Sequence, residues 1–232
     1  MLGPVDYAIW LVVFLIELSS LVCLLRKKAF SRYFTLVLYL CSSLAVSIAR
    51  YSIIQTSGFH SNEYLYFYFY SDTLLTICLF FVLMSLYAHV FSEMGVANYI
   101  RAGAMLLLAG TALISYFMVA SSSDRLVTKF VVELSQNLYF VGLLLTYMLW
   151  GAMAKLRENR IRLMQIVLSM GVYVSLFAGS YALSNLYFPN LALWRYYFPL
   201  IAAWLPLSWA YTFLKIPEDA RMATARVLAP NR

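Results

Sequence analysis

Three carboxylates sit inside long apolar stretches of this chain, where a charge is costly unless something answers it. Glu17 lies near the middle of the first stretch, Asp72 in the third and Glu133 in the fifth. Arg50 and Arg195 stand at a depth comparable to Asp72 and Glu133, and Lys129 lies nearer the surface. A charge in a medium of low dielectric needs a partner. Asp72, Glu133, Arg50 and Arg195 come from four different segments, and together they can form one polar pocket for a small polar ligand. The same four residues can equally serve as ion pairs that fix a helix bundle, and both readings stay open here. Glu17 is followed by Ser19 and Ser20. It is either a protonatable group for coupling or sensing, or a neutral carboxyl hydrogen-bonded to a neighbouring helix. Gln136 and Asn137 follow Glu133 by one helical turn. A face of Glu133, Gln136 and Asn137 is too polar for lipid and is expected to point inward.

Aromatic residues make up 17% of the chain, far more than an interface belt alone requires. The run from Tyr64 through Tyr68 to Tyr70 opens the third stretch, and Trp194, Tyr196, Tyr197 and Phe198 open the seventh. Rings at a membrane interface are ordinary. Seven consecutive helical positions, however, pass all the way round a helix, so some rings must face the interior, where tyrosine hydroxyls need partners. Tyr68 and Tyr196 are therefore candidates for the wall of an aromatic pocket.

Other chemistry is poorly supported. His60 and His89 are too few and too far apart for a bis-histidine haem site or a histidine-based zinc site. Cys23, Cys41 and Cys78 all lie within apolar stretches without CxxC spacing, as small buried hydrophobes do. No HExxH, GxSxG, Walker or GxGxxG pattern occurs, and the seventh stretch has no central lysine for a retinal Schiff base. No cofactor and no metal are expected, and enzymatic activity ranks last among the functions weighed.

The elements that hold these residues follow from composition. Of 232 residues, 63% are hydrophobic and 12% charged. A soluble domain is nearer half apolar and a quarter charged, and one of this length has too much surface to hide the excess. Lipid is thus the expected solvent. A spanning helix needs about 20 mostly apolar residues, and seven candidates meet that length: 7–25, 33–54, 64–91, 100–120, 127–152, 163–187 and 191–214. The expectation is an all-α, seven-helix transmembrane domain over residues 1–216, with a short cytoplasmic tail over 217–232. That tail holds Pro217 with acids and bases close by. It is long enough for one amphipathic turn and too short for an effector domain. Tight connections make sequential helices the expected antiparallel neighbours. Pro199 and Pro206 are expected to kink the seventh span.

The net charge of +7 does not indicate nucleic acid, because the basic residues lie in short clusters between apolar stretches. Thirteen of the seventeen collect on one side, from Arg26, Lys27, Lys28 and Arg32, through Arg101, Lys155 and the Arg157–Arg162 segment, to Lys215 and Arg232. Arg50, Arg125, Lys129 and Arg195 are on the other. The rich side is expected to be cytoplasmic, which puts the N-terminus in the periplasm. The first stretch carries Asp6 and no basic n-region, so it reads as an uncleaved anchor.

The stretch ELSSLVCLLRKKAFSRYFTLVLYL from Glu17 to Leu40, YFYFYSD at Tyr66–Asp72, VELSQN at Val132–Asn137 and LKIPE at Leu214–Glu218 carry a resemblance. On them the chain resembles a loose group of seven-span membrane proteins of acidobacterial type. That resemblance covers nearly the whole chain, implies the architecture and brings no activity with it. The layout is also similar to the seven-helix sensor modules that precede bacterial histidine kinases. The expected location is the bacterial inner membrane. The leading expectation is a ligand-binding or sensor-type protein with an outward-facing polar-aromatic pocket. Its partners would be the bilayer and a cytoplasmic signalling protein. The alternatives are an accessory subunit packed among other membrane subunits, and a small transporter with Glu17 or Asp72 coupled to protons. A cavity joining the four charged residues favours binding, one reaching Glu17 favours transport, and a dry interior favours a subunit.

Overall fold

A computed structural model of the chain describes residues 4–26, 30, 32–59, 61–95, 97–120, 126–156, 160–186, 194–218 and 220–221. Seven long helices run through them: α1 (Pro4–Arg26), α2 (Phe34–Ser57), α3 (Asn62–Val90), α4 (Ala97–Ala120), α5 (Leu126–Lys155), α6 (Ile161–Leu186) and α7 (Trp194–Lys215). Each contains a window long and apolar enough to cross a bilayer. The protein is an all-α, multi-pass membrane protein, and no strand occurs among the described residues. The helices match the expected spans closely. No end differs by more than three residues, as where α5 continues past Ala152 to Lys155.

Local chemistry sets the turn between α2 and α3. Gly58 sits at φ +84°, a region that side chains rarely adopt, and its N–H donates to the Ile54 carbonyl at 3.1 Å to close α2. Ser61 then caps α3, its Oγ accepting from the Tyr64 N–H at 3.1 Å. This end of the bundle, where α1, α3, α5 and α7 begin, is called the Gly58 face. The opposite end is called the Arg162 face.

Six helices close a ring in the order α1, α2, α3, α5, α6, α7 and back to α1. Helix α4 stands outside the ring, against α5 and α3. Sequential helices are antiparallel neighbours throughout, as expected, and α3 packs in addition, and more extensively than on α4, on the parallel α5. Hydroxyls make that junction. Thr73 donates to the Val131 carbonyl at 2.8 Å, Thr76 lies 3.1 Å from Ser135, and Tyr87 donates to the Leu145 carbonyl at 2.6 Å. The near-constant offset of 58 to 59 residues marks two parallel helices in register. Helix α4 buries a narrow stripe that includes Ala104, Thr111, Ser115 and Val119 and leaves Leu106, Phe117 and Met118 exposed, as a lipid-facing helix does.

The apolar core occupies one half of the ring. Leu24, Leu36, Leu40, Leu83, Leu149, Ile166, Met170, Trp209 and Phe213 are all essentially inaccessible, and all lie toward the Arg162 face. That face is also tied by charge. Arg162 donates from Nε and Nη2 to the Ile216 carbonyl at 2.9 and 2.6 Å, just past the end of α7. Glu218 pairs with Arg162 at 3.4 Å and with Arg32, before α2. The described start of the tail closes one turn, the Ala220 N–H donating to the Pro217 carbonyl at 3.3 Å. It folds back over α6, the Ala220 carbonyl accepting from the Ile161 N–H at 3.3 Å.

Candidate functional site: a polar-aromatic cavity in the helix ring

A cavity of about 750 Å³ fills the other half of the ring. All six ring helices line it and α4 contributes nothing to it. Each helix supplies one stripe at helical spacing: Asp6, Trp10, Val13 and Glu17 on α1; Tyr39, Ser43, Val46 and Arg50 on α2; Tyr68, Asp72, Leu75 and Leu79 on α3; Val132, Ser135 and Tyr139 on α5; Tyr173, Phe177 and Tyr181 on α6; Phe198 and Ala202 on α7. From Asp6 to Glu17 the wall runs about 16 Å along α1, at 1.5 Å per residue. The cavity thus reaches the Gly58 face at Asp6, Ile54 and Phe59, and extends inward to Glu17, Tyr39 and Leu79. Beyond them lies the packed core of Leu36, Leu40, Leu83 and Trp209, so the cavity has a floor.

Four charged residues line it: Asp6 at its mouth and, deeper, Glu17, Asp72 and Arg50. Glu17 is 7% exposed; one carboxylate oxygen accepts from Ser43 Oγ at 2.8 Å, and the other has no hydrogen-bond partner. Asp72 accepts from Ser135 Oγ at 2.9 Å, and Tyr181 lines the same cavity. Arg50 donates from Nε and Nη2 to Ser71 Oγ at 3.1 and 2.8 Å and to the Tyr68 carbonyl at 3.2 Å. Its guanidinium carbon lies 4.4 Å from the centroid of the Tyr68 ring, a cation–π contact. Among the described residues Arg50 makes no ion pair. It stands close enough to act electrostatically on both Glu17 and Asp72. The structure thus brings Arg50, Asp72, Tyr68 and Glu17 into one space.

Glu133 is elsewhere. With Lys129 and Met118 it lines a separate shallow groove of about 310 Å³ between α4 and α5. The reason is angular: Val132, Ser135 and Tyr139 form the cavity stripe of α5, and Glu133 is rotated about 100° from Val132, at 3.6 residues per turn. The polar face of Glu133, Gln136 and Asn137, expected to point inward, turns away from the ring interior; Asn137 donates to Ser115 Oγ of α4 at 2.9 Å. Arg195 and Tyr196 belong to the first turn of α7, and their side chains lie outside the described residues. The aromatic run of α3 divides as its periodicity requires. Tyr64, Tyr68 and Phe69 face the cavity, whereas Tyr66 and Tyr70 are 42% and 44% exposed.

Comparison with protein-family models, curated proteins and solved structures finds no match. The site is therefore read from its own chemistry.

Several cavity residues escape a search confined to charges. Tyr39, Ser43, Ser135, Tyr139, Tyr173 and Tyr181 are all in the wall. The Tyr139 ring lies 6.5 Å from that of Tyr173 and stacks on Phe177 at 5.0 Å, centroid to centroid. Tyr173, Phe177 and Tyr181 repeat every four residues, a visible signal that three large rings share one helix face. Pro206 adds a further polar group. It has no N–H to give the Ala202 carbonyl one turn earlier, and Ala202 lines the cavity.

Proposed function

We propose that this protein is a ligand-binding protein of sensor type in the bacterial inner membrane, with its N-terminus in the periplasm and its C-terminus in the cytoplasm. The cavity takes a small polar ligand from the periplasmic side. The cavity leaves out Glu133 and reaches Glu17, so the charged residues alone do not separate binding from transport. The observation that carries the binding reading is that the cavity reaches one face of the ring and stops at a packed apolar floor. A ligand pocket is typically 300–1,000 Å³, mostly apolar, with a few convergent polar groups, and this cavity has those properties. The clustering of basic residues toward the Arg162 face supports a periplasmic mouth. The binding signal would pass inward through α1 and α7, which form the wall beside Glu17 and Pro206 and are joined by Ser20 Oγ donating to the Pro206 carbonyl at 2.5 Å.

The test places one cysteine in the wall. Cys23, Cys41 and Cys78 are replaced by alanine and Ser47, which lines the cavity, by cysteine. A small membrane-impermeant thiol reagent is expected to modify Ser47→Cys in spheroplasts and to leave it unmodified in inverted vesicles. A cysteine inert from both sides would exclude an accessible pocket, and one reactive from the cytoplasmic side would reverse the orientation.

Proton-coupled transport is the second reading, favoured by the placement of Glu17 at the depth of the floor. It requires proton movement in reconstituted vesicles that Glu17→Gln abolishes. The binding reading expects no such flux.

A further inference from the structure

Resting on the binding reading of the cavity, we propose that its ligand is an organic ammonium ion: a positive charge carried on a small apolar or aromatic frame. Charge comes first. Glu17 and Asp72 face the same interior, since the Tyr39 hydroxyl lies within electrostatic range of both. Neither forms an ion pair among the described residues, and Arg50 spends donors on Ser71 and on the Tyr68 carbonyl while its face covers the Tyr68 ring. One oxygen of Glu17, in a side chain that is almost fully buried, has no hydrogen-bond partner. A buried polar atom in that condition favours a ligand that supplies a donor.

The walls agree with the charge. Tyr39, Tyr139, Tyr173, Phe177 and Tyr181 surround the deep half of the cavity. Aromatic faces attract cations through their quadrupole, most strongly where water is excluded. An ammonium group carries donors and no acceptor, so it complements this surroundings of acceptors and ring faces. An anion would meet Asp6, Glu17 and Asp72, with Arg50 already donating to Ser71 and the Tyr68 carbonyl. A neutral flat molecule would leave the Glu17 oxygen desolvated and unanswered, which is unfavourable.

The experiment uses the Ser47→Cys protein on its cysteine-free background, in lipid nanodiscs. Modification rates are compared for a trimethylammonium-ethyl and a sulfonatoethyl methanethiosulfonate, each divided by its rate with a free thiol. The cationic reagent is expected to be faster by about tenfold or more, the range over which a cleft of one charge sign concentrates counter-ions. Adding Glu17→Gln and Asp72→Asn together is expected to bring the ratio to about one. A ratio that survives both substitutions overturns the assignment to these carboxylates. Equal rates, or a faster sulfonate, overturn the cation proposal while leaving a reactive, accessible pocket. A cysteine inert to both reagents sinks the binding reading itself. Calorimetry on the unsubstituted protein keeps the question decidable should the double variant not fold. Phenethylammonium is expected to bind and 3-phenylpropionate not to. Binding of the propionate, or of neither, counts against the proposal.

Discussion

Ser43 reaches across from α2 to one oxygen of Glu17 at 2.8 Å, and that single bond defines how the acid is held. Ser43→Ala removes it and leaves a second buried oxygen without a partner. Interhelical hydrogen bonds in membrane proteins average about 0.6 kcal/mol and reach about 1.7, so a loss of about 1 kcal/mol is expected in reversible unfolding in mixed micelles. An unchanged midpoint would mean that the bond contributes nothing. Arg50→Lys is expected to cost more, about 1–2 kcal/mol, because an ammonium cannot reproduce the planar fork on Ser71 and Tyr68 together with stacking on the Tyr68 ring. The comparison is with Ser52→Ala, whose exposed hydroxyl bonds only its own helix. At this scale much of the site was legible in the sequence. Arg50, Asp72 and Tyr68 do share one space, because intramembrane polar groups have few places to go. Glu133 joins a different groove because one step along a helix turns a side chain by more than a quarter circle. Charge and depth alone do not encode that angle; the stripe of Val132, Ser135 and Tyr139 does.

Helices α5 and α6 meet where a glycine permits it. A Cβ on Gly171 would stand 3.1 Å from Thr146 Cγ2, whereas one on Gly103 in α4 would meet nothing within 4 Å. Gly171→Val is therefore expected to destabilise by about 1–3 kcal/mol, the usual cost of overfilling a packed contact. Gly103→Ala is expected to be neutral or stabilising by up to about 1 kcal/mol, through helix propensity. Thermal melts of the two variants side by side decide this, and equal effects would refute the close approach. The seven helices themselves could be read from hydropathy because lipid imposes a length on every span. Their order around the ring could not. Pairing α3 with α5 as well as with α4 depends on which faces carry Thr73, Thr76, Val131 and Ser135, and on contacts between residues far apart in the chain. Loop length alone favours the sequential neighbour.

The two ends of the molecule are built differently. At the Arg162 face, Arg162 is 7% exposed along its side chain and holds the Ile216 carbonyl at the end of α7, while Glu218 reaches both Arg162 and Arg32. Arg162→Ala strips a buried carbonyl of a charged donor and is expected to cost about 2 kcal/mol. Glu218→Gln alters an ion pair whose acid is 43% exposed and is expected to cost less than about 1 kcal/mol. Chemical unfolding in detergent measures both, and a larger effect at Glu218 would invert the ranking. Near the Gly58 face the same ring encloses open volume rather than packed side chains. The molecule therefore resembles a tulip, with its petals bound at the stem and loose at the rim. Any rearrangement around a guest would be smallest at the Arg32–Arg162–Glu218 knot and grow with distance from it. At the Arg162 face that movement would register as a change of tilt in the α1 and α7 stems, not as a sliding of whole helices.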